Sequence, residues 1–447
     1  MRRAKSDAPA VVLRSYPPRF TAPPCTPDRA RALRWRLRAP EGHQRQRCAC
    51  QGHAGPRPEA RRGSHPEAAP QARRRRPATT RPAGDVMITS VHLHDFKGHR
   101  DSTVPLGQFT VLVGPNGSGK TSVLEALWAQ GQVPNCRPSQ FFVEKWSIGD
   151  LVRRGAQGPS VLISHGISNA LPWSSWLELN SSSPVAFRWI QGKSDNQYQL
   201  TDSQTLSVSV PQIAQGIGQV SMYEFDAEII GAAAYSDQPG PDVERDGTNT
   251  AVALTAIKLG YDEDFARIED SLRRIIPNVE RVRIRQAIVR RPKQTFPGES
   301  ERVVGSKIFF DFRGAPGVPA HAASEGTLIT LALLTVLHGP NRPSVLLLDD
   351  FAESLHPQAQ MELVRLIKRL LEEFKDLQIV ATTHSPYILD ELDPAQVIAF
   401  ALRKDGTVAL KRLSEHPQAE QMKGALSTGQ LWSLDPERAW VSAEGDP

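Results

Sequence analysis

The feature that most constrains the fold is the run Gly114-Pro-Asn-Gly-Ser-Gly-Lys120-Thr121, which matches the pattern G-x4-G-K-[ST] of a phosphate-binding loop. The apolar segment Phe109–Val113 precedes it, and a helical pattern from 121 to about 130 follows it. This order of strand, loop and helix is the context that the motif requires. The sequence therefore predicts a nucleoside triphosphate site on an α/β sheet.

Each residue type in this loop suits the binding of phosphate. Glycines let backbone N–H groups turn toward an anion, and the start of the following helix adds partial positive charge. Lys120 is expected to reach the β- and γ-phosphates, and Thr121 to ligate Mg²⁺. The predicted nucleotide-binding residues of the loop are Gly114, Asn116, Gly117, Ser118, Gly119, Lys120 and Thr121.

Two later apolar segments end in groups that suit phosphate chemistry. Val345–Leu348 runs into Asp349 and Asp350, as expected for a buried parallel strand that delivers acids to one edge of a sheet. Asp349 is the predicted Mg²⁺ contact, through water, and Asp350 the predicted group that activates the attacking water. Gln378–Thr382 leads to His384, which is placed to contact a γ-phosphate. The alternatives are a solvated strand end and a structural histidine.

A further signal is Ser324-Glu-Gly326-Thr327, at the start of an apolar helix predicted over 324–337. Ser324 suits the N-cap position, and Gly326 permits close approach of an anion to the helix end. Because capping alone explains the serine, these residues by themselves leave both interpretations open.

The remaining pattern indicates an α/β fold. Residues 87–113 are interpreted as two strands, 160–210 as antiparallel strands and 248–276 as helical. After these, strands at 307–312, 345–348, 378–382, 397–401 and 408–413 alternate with helices at 324–337 and 358–374. Such alternation implies a largely parallel sheet.

The first 86 residues differ in composition from the rest. They hold 20 basic and 6 acidic side chains and 13 prolines without hydrophobic periodicity, so we expect a disordered leader. The net charge of the whole chain is +6, whereas residues 87–447 alone carry 34 basic and 42 acidic groups, a net charge of −8. A basic nucleic-acid tail, an Arg-rich transit peptide and a metal site from Cys48, Cys50 and His53 are alternatives. We favour translation from Met87, because the leader has the composition of GC-rich DNA read upstream of a gene.

Compartment and membrane class follow from simple counts. No apolar run approaches the roughly 18 to 20 residues of a membrane span. Four cysteines, three of them in the leader, argue against a disulfide framework. We expect a cytoplasmic protein without membrane contact.

Together these segments resemble the ATP-binding-cassette superfamily of ATPases, in the soluble RecF/SMC-like branch often described as AAA-type ATPase domains. The resemblance covers about 87–131 and 306–414. It implies an ABC-ATPase head of the P-loop NTPase fold, with a mostly parallel sheet flanked by helices and an antiparallel β and helical accessory lobe. The expected segments are a leader at 1–86, a first ATPase part at 87–158, an insertion at 159–305 and a second ATPase part at 306–447.

The resemblance also implies roles for individual residues. Residues 324–327 become the signature motif, Asp349 the Walker B acid, 353–357 the D-loop and His384 the switch histidine, while 96–99 resembles an early turn near the nucleotide. ATP and Mg²⁺ are the implied cofactors. Two subunits would sandwich two ATP molecules, with Ser324 and Gly326 of one chain contacting the γ-phosphate held by the other, and hydrolysis would separate them.

Four departures from the family pattern stand out. The catalytic position is usually Glu and is here Asp350, one methylene shorter; Ile329 stands where this branch often has Arg. The Q-loop glutamine is unassigned, with Gln140 and Gln157 as candidates. Ser324 follows Lys120 by 204 positions, and the intervening segment is too short, and too rich in strands, for the long coiled coil of SMC proteins.

The expected function is an ATP-hydrolysing, ATP-dependent dimeric switch in DNA metabolism, DNA repair or anti-phage defence. A transporter's nucleotide-binding subunit is the main alternative, although Ala323-Ser-Glu-Gly-Thr327 replaces the usual L-S-G-G-Q; a P-loop kinase or GTPase is another. DNA is a candidate partner through Arg281, Arg283 and Arg285, which fall on one strand face. The alternative there is a solvated face. An effector protein encoded nearby is another candidate partner.

Overall fold

The computed structural model describes residues 87–134, 136–137, 148–168, 171–179, 185–200, 219–292 and 299–442. The predicted leader, the candidate Gln140 and the last part of the predicted strand region, 201–210, lie outside the described residues.

The strands occur along the whole described chain. They are β1 (Met87–Phe96), β2 (His99–Pro105), β3 (Phe109–Val113), β4 (Ser160–Ser168), β5 (Leu171–Leu179), β6 (Val185–Gln191), β7 (Ser194–Leu200), β8 (Val220–Tyr223), β9 (Val279–Pro292), β10 (Ser300–Phe312), β11 (Ala315–Pro319), β12 (Val345–Leu348), β13 (Gln378–Thr382), β14 (Val397–Leu402) and β15 (Val408–Arg412).

The helices connect and cover these strands. They are α1 (Lys120–Gln132), α2 (Ile148–Leu151), α3 (Ala227–Gly231), α4 (Thr250–Gly260), α5 (Asp262–Ile275), α6 (Glu325–His338), α7 (Pro357–Glu373), α8 (Pro386–Leu389), α9 (Thr428–Trp432) and α10 (Glu437–Val441). No helix among them is long and apolar enough to cross a bilayer, within the described part of the chain.

A six-stranded, mostly parallel sheet carries the predicted site. Its order is β15-β14-β3-β13-β12-β8, and every pair except β14–β15 is parallel. Every residue of β3, β12 and β13 is buried, as expected for strands covered on both faces. The predicted mostly parallel α/β sheet is confirmed.

The second six-stranded sheet is antiparallel, in the order β2-β1-β4-β5-β6-β7. Two strands were expected over 87–113 and three are present, because the polar segment His99–Pro105 folds back on β1 as an edge strand. β4 pairs with the other side of β1. The expected segment boundary at 158/159 therefore separates strands that belong to the same sheet. The expected boundary at 305/306 lies inside β10.

The helix α1 lies between the two sheets. Its buried Val123, Leu124 and Leu127 belong to one apolar cluster with Leu93 of β1 and Trp173 of β5, which also includes inward residues of the parallel sheet. A second cluster on the opposite face of the parallel sheet contains buried residues of α4, α5, α6 and α7. The insertion thus contributes to both cores.

The region 248–276 forms two helices. Tyr261 separates α4 from α5 with φ −144° and ψ 63°, outside the helical range. Gly260 ends the first helix, and Asp262, Glu263 and Asp264 form the first turn of the second, where acids are favoured by the helix dipole.

A buried glutamine joins the two six-stranded sheets. Gln378 of β13 is 1% exposed. Its Oε1 accepts from Ile88 N at 2.9 Å, while its Nε2 donates to Ile88 O at 2.7 Å and to Gly107 O at 2.9 Å. One side chain therefore satisfies backbone groups of β1 and of the turn before β3.

We expect Gln378→Ala to lower the free energy of unfolding by about 2–4 kcal/mol, because it leaves several buried backbone groups unpaired. Urea denaturation followed by circular dichroism measures the change. Gln197→Ala, at an exposed position of β7, is the control and should change stability by less than about 0.5 kcal/mol. Equal effects of the two substitutions would contradict the proposed link between the sheets.

Candidate functional site

The phosphate loop joins the buried end of β3 to α1 in a conformation that requires glycine. Gly114, Gly117 and Gly119 have φ of +138°, +77° and +96°, values that favour glycine over residues with a Cβ. A Cβ on Gly114 would lie 2.4 Å from the carbonyl oxygen of Phe400 in β14. The loop is therefore shaped by its glycines and by the neighbouring strand.

Lys120 is held within this loop. The residue is buried, and its Nζ donates to the carbonyl oxygens of Gly114 at 2.8 Å and Pro115 at 3.0 Å. Burial lowers the pKa of the ammonium group, whereas the charges of Asp350 and Asp349 raise it. The lysine charge thus lies in the field of the predicted catalytic acid, Asp350, and of the predicted metal ligand, Asp349.

The remaining groups of the loop suit an anion. Gly119 is the N-cap of α1 and gives no side-chain hydrogen bond to the N–H groups of the first turn; N–H groups at this position of a helix bind phosphate oxygens. The Ser118 hydroxyl is buried and has no hydrogen-bond partner within the described part of the chain. This donor set fits the phosphates of a nucleotide.

Thr382, at the end of β13, ties the two predicted acids together. Its Oγ1 donates to Asp349 Oδ1 at 2.6 Å and accepts from Asp350 N at 2.7 Å. Thr121 Oγ1 donates to the same Asp349 oxygen at 3.2 Å. The hydroxyl of Thr121 and the carboxylate of Asp349 are thereby adjacent, and hydroxyl and carboxylate oxygens are the ligands that Mg²⁺ prefers.

The electrostatics of Asp349 reflect its position at the sheet edge. Burial raises the pKa of its carboxyl group; the hydrogen bond from Thr382 lowers it, and the charges of Asp350 and Glu224 raise it. The negative charges of Asp350 and Glu224 therefore both act on the carboxyl group of Asp349.

The loop after β12 brings a further acid to His384. Asp350 and Ala352 have φ of +45° and +66°, so the chain turns sharply after Asp349. One side-chain oxygen or nitrogen from each of Asp350, Glu353 and His384 lies within 4.8 Å of the other two. The predicted residues Lys120, Thr121, Asp349, Asp350 and His384 thus converge, and Glu353 joins them.

The helix α6 begins as predicted, but its glycine has a packing explanation. Ser324 is the N-cap and accepts from Thr327 N at 3.4 Å. Gly326 is buried, and a Cβ there would lie 2.7 Å from Leu355 Cδ2 and 3.0 Å from the Ser354 carbonyl oxygen. Close packing of α6 on the loop after β12 therefore requires glycine at this position within a single chain.

The early turn predicted to lie near the nucleotide contacts the phosphate loop. His99 is fully buried, and its Nε2 lies 3.1 Å from the Gly119 carbonyl oxygen. Burial lowers the pKa of His99 to about 4, although the bond to Gly119 opposes the shift. A neutral imidazole can donate from Nε2 to this carbonyl and so support the start of α1.

The sequence interpretation missed Glu224. It directly follows β8, whose Tyr223 pairs with Leu348 of β12, so its backbone lies level with Asp349. Arg245 Nη2 lies 3.4 Å from its Oε2. The short run Val220–Tyr223 before an acid is the same signal as in β12, and its four residues made it easy to overlook. Gln157, by contrast, is exposed in the loop before β4.

Most of the described chain matches a known protein family. A family model described as "AAA domain, putative AbiEii toxin, Type IV TA system" matches residues 109–390. The chain belongs to this family. The predicted membership in the AAA-type ATPase domains is thereby confirmed, and the matched residues include the phosphate loop, Asp349 and His384. No curated protein matches the chain in sequence.

Several solved structures are similar to the chain. The SMC head bound to the C-terminal winged-helix domain of ScpA shares 15% identity, covers 72% of this chain and 97% of its own, and has a TM-score of 0.49. The SMC head of Thermotoga maritima shares 14% identity over 73% and 98% of the two chains, with a TM-score of 0.42. The Pyrococcus furiosus SMC head with an extended coiled coil shares 14% over 76% and 98%, with a TM-score of 0.48.

We expect Thr382→Val to lower the free energy of unfolding at neutral pH by about 1–3 kcal/mol, because Asp349 loses a buried hydrogen bond. Thr330→Val is the matched control. The Thr330 hydroxyl is also buried but has no hydrogen-bond partner in the described residues, so its removal should be neutral or stabilising. Denaturant midpoints of both variants test this, and a loss in the control as large as in Thr382→Val would contradict the assigned role.

Proposed function

We propose that the chain binds ATP with Mg²⁺ and hydrolyses it. The observation that carries this proposal is the convergence of Lys120, Thr121, Asp349, Asp350 and His384 at one edge of the parallel sheet. Membership in a family of AAA domains supports it. A lysine, a hydroxyl, two acids and a histidine around an anion-binding loop match the needs of phosphoryl transfer to water.

Each residue has a distinct task in this proposal. The loop N–H groups, Ser118 and Lys120 bind the phosphates, and Thr121 and Asp349 would hold Mg²⁺, which would supply positive charge to offset that of the phosphates. Thr382 fixes Asp349, Asp350 orients the water, and His384 donates to the γ-phosphate.

Lys120→Ala should abolish detectable ATP binding, since it removes the charge that contacts the phosphates. Asp350→Asn should bind ATP with near-normal affinity and lower kcat by about 10²-fold or more. Isothermal titration calorimetry and phosphate release measure the two effects. Normal turnover by Asp350→Asn would assign the activation of water to another group.

We further propose that ATP binding joins two copies of the chain. Ser324 is exposed at the start of α6, and Gly326 in the first turn of that helix packs against the loop after β12. A surface that combines a helix N-terminus with this loop suits the γ-phosphate held by a second copy. Light scattering should show a dimer with ATP in Asp350→Asn and a monomer without nucleotide, and a monomer in both conditions would contradict the switch.

DNA metabolism or anti-phage defence is the proposed setting, with DNA and an effector protein as partners. The family description names a toxin of a toxin–antitoxin system, which favours defence.

The arginines of β9 differ in how available they are to DNA phosphates. Arg283 is less available than the sequence predicts, because it is paired with Asp311 through Nε and Nη2, both at 2.6 Å from Oδ2. Arg285 lies opposite Lys307, and both cations lie near the ring of Phe309.

For DNA, Arg285→Glu is a cleaner test than any change at Arg283, since the new acid would face Lys307 rather than Asp311. We expect it to weaken binding of duplex DNA by about tenfold and to reduce the salt dependence of binding. Fluorescence anisotropy at several salt concentrations measures both. Arg369→Glu, an exposed position of α7, controls for net charge; equal losses in both variants would remove this face as the DNA site.

A further inference from the structure

A second carboxylate lies beside Asp350 in the proposed hydrolytic centre. Glu353 stands three residues later, on the loop between β12 and α7. Its carboxylate, that of Asp350 and the imidazole of His384 lie within 4.8 Å of one another. The tasks proposed above leave Glu353 without a role, yet it lies beside the two predicted catalytic groups.

The backbone of this loop explains how Glu353 reaches that point. Phe351 and Ala352 are buried, and Ala352 adopts φ +66°. Phe351 N donates to Thr382 O at 3.1 Å, and Ala352 O accepts from Gln360 Nε2 at 2.9 Å. The two residues before Glu353 are therefore fixed by β13 and α7, so the direction in which Glu353 leaves the loop is set by the fold.

The charged groups that act on Glu353 include the lysine of the phosphate loop. Loss of solvent around its carboxyl group and the charge of Asp350 raise the pKa of Glu353, while His384 and Lys120 lower it. Glu353 in turn contributes to raising the pKa of Lys120. An exposed surface glutamate far from the site would not interact with the buried lysine in this way.

Asp350 is poorly placed to be the sole proton acceptor. Its side chain is short, its backbone is fixed at φ +45°, and its Oδ1 lies 3.3 Å from the Thr382 hydroxyl. Glu353 carries one more methylene and has no comparable hydrogen bond to Thr382. Two neighbouring carboxylates in different environments often take different roles in acid–base catalysis.

We propose that Glu353 accepts the proton of the attacking water, while Asp350 orients that water. This inference rests on the proposed ATP hydrolysis. The water oxygen forms a bond to the γ-phosphorus as the bond from phosphorus to the β–γ bridging oxygen breaks, which releases ADP. The water proton passes to the Glu353 carboxylate and then to the released phosphate, so that Glu353 returns to its starting state.

The test compares the unsubstituted chain, Glu353→Gln and Glu353→Gln combined with Asp350→Glu. We expect Glu353→Gln to lower kcat by about 10²-fold or more, with the dissociation constant of ATP changed by less than about twofold. Light scattering should show that this variant accumulates the ATP-bound dimer. Asp350→Glu in the same background should restore kcat by at least about tenfold, because the longer side chain extends a carboxylate to the same point.

Glu372→Gln, at an exposed position of α7, is the matched control and should leave kcat and ATP affinity unchanged. A kcat of Glu353→Gln within about threefold of the unsubstituted chain would overturn the inference and leave the proposed function intact. So would weaker ATP binding at unchanged kcat, or a loss of kcat that Asp350→Glu does not reverse, since that result indicates a structural role. Absence of turnover in the unsubstituted chain would overturn the proposed function as well.

Discussion

The site depends on a single constraint, the alignment of parallel strands whose carboxyl ends meet at one edge of a sheet. β13 lies between β3 and β12 and is hydrogen-bonded to both. Its last residue, Thr382, therefore reaches the acids after β12 while the phosphate loop emerges from β3 on its other side. If β13 were displaced by one residue, its side chains would exchange faces, and the contact between the two halves of the site would be lost.

Close packing around this edge limits which residues can occupy the loops. A Cβ at Gly119 would lie 2.7 Å from His99 Nε2, and one at Gly326 would collide with the loop after β12. The phosphate loop, the early turn and the start of α6 therefore approach their neighbours more closely than side chains would allow. The glycines of the motifs serve this packing as much as they serve the binding of an anion, and the two requirements cannot be separated by sequence pattern alone.

The sequence predicted the elements that a local pattern can specify. β12 and β13 have the predicted bounds, and α1, α6 and α7 begin within a residue of expectation, because buried strands, caps and glycine loops leave strong local signals. The pairing of β4 with β1 was not predicted, since strand partners distant in sequence leave no periodic trace. Glu353 and Glu224 were missed as members of the cluster for the same reason: a sharp turn brings in one, and a four-residue strand the other.

The site concentrates negative charge that the fold only partly compensates. Asp349, Asp350, Glu353 and Glu224 interact electrostatically at this edge, while Lys120 is the cation that the loop itself supplies. Like charges held this close disfavour each other's ionised forms, so the fold gives up stability to keep them together. Hydrogen bonds from Thr382 and Thr121 fix Asp349 in spite of that repulsion. A core designed for stability alone would not assemble such a group; the arrangement makes physical sense when a divalent cation and the phosphates it accompanies complete the balance of charge.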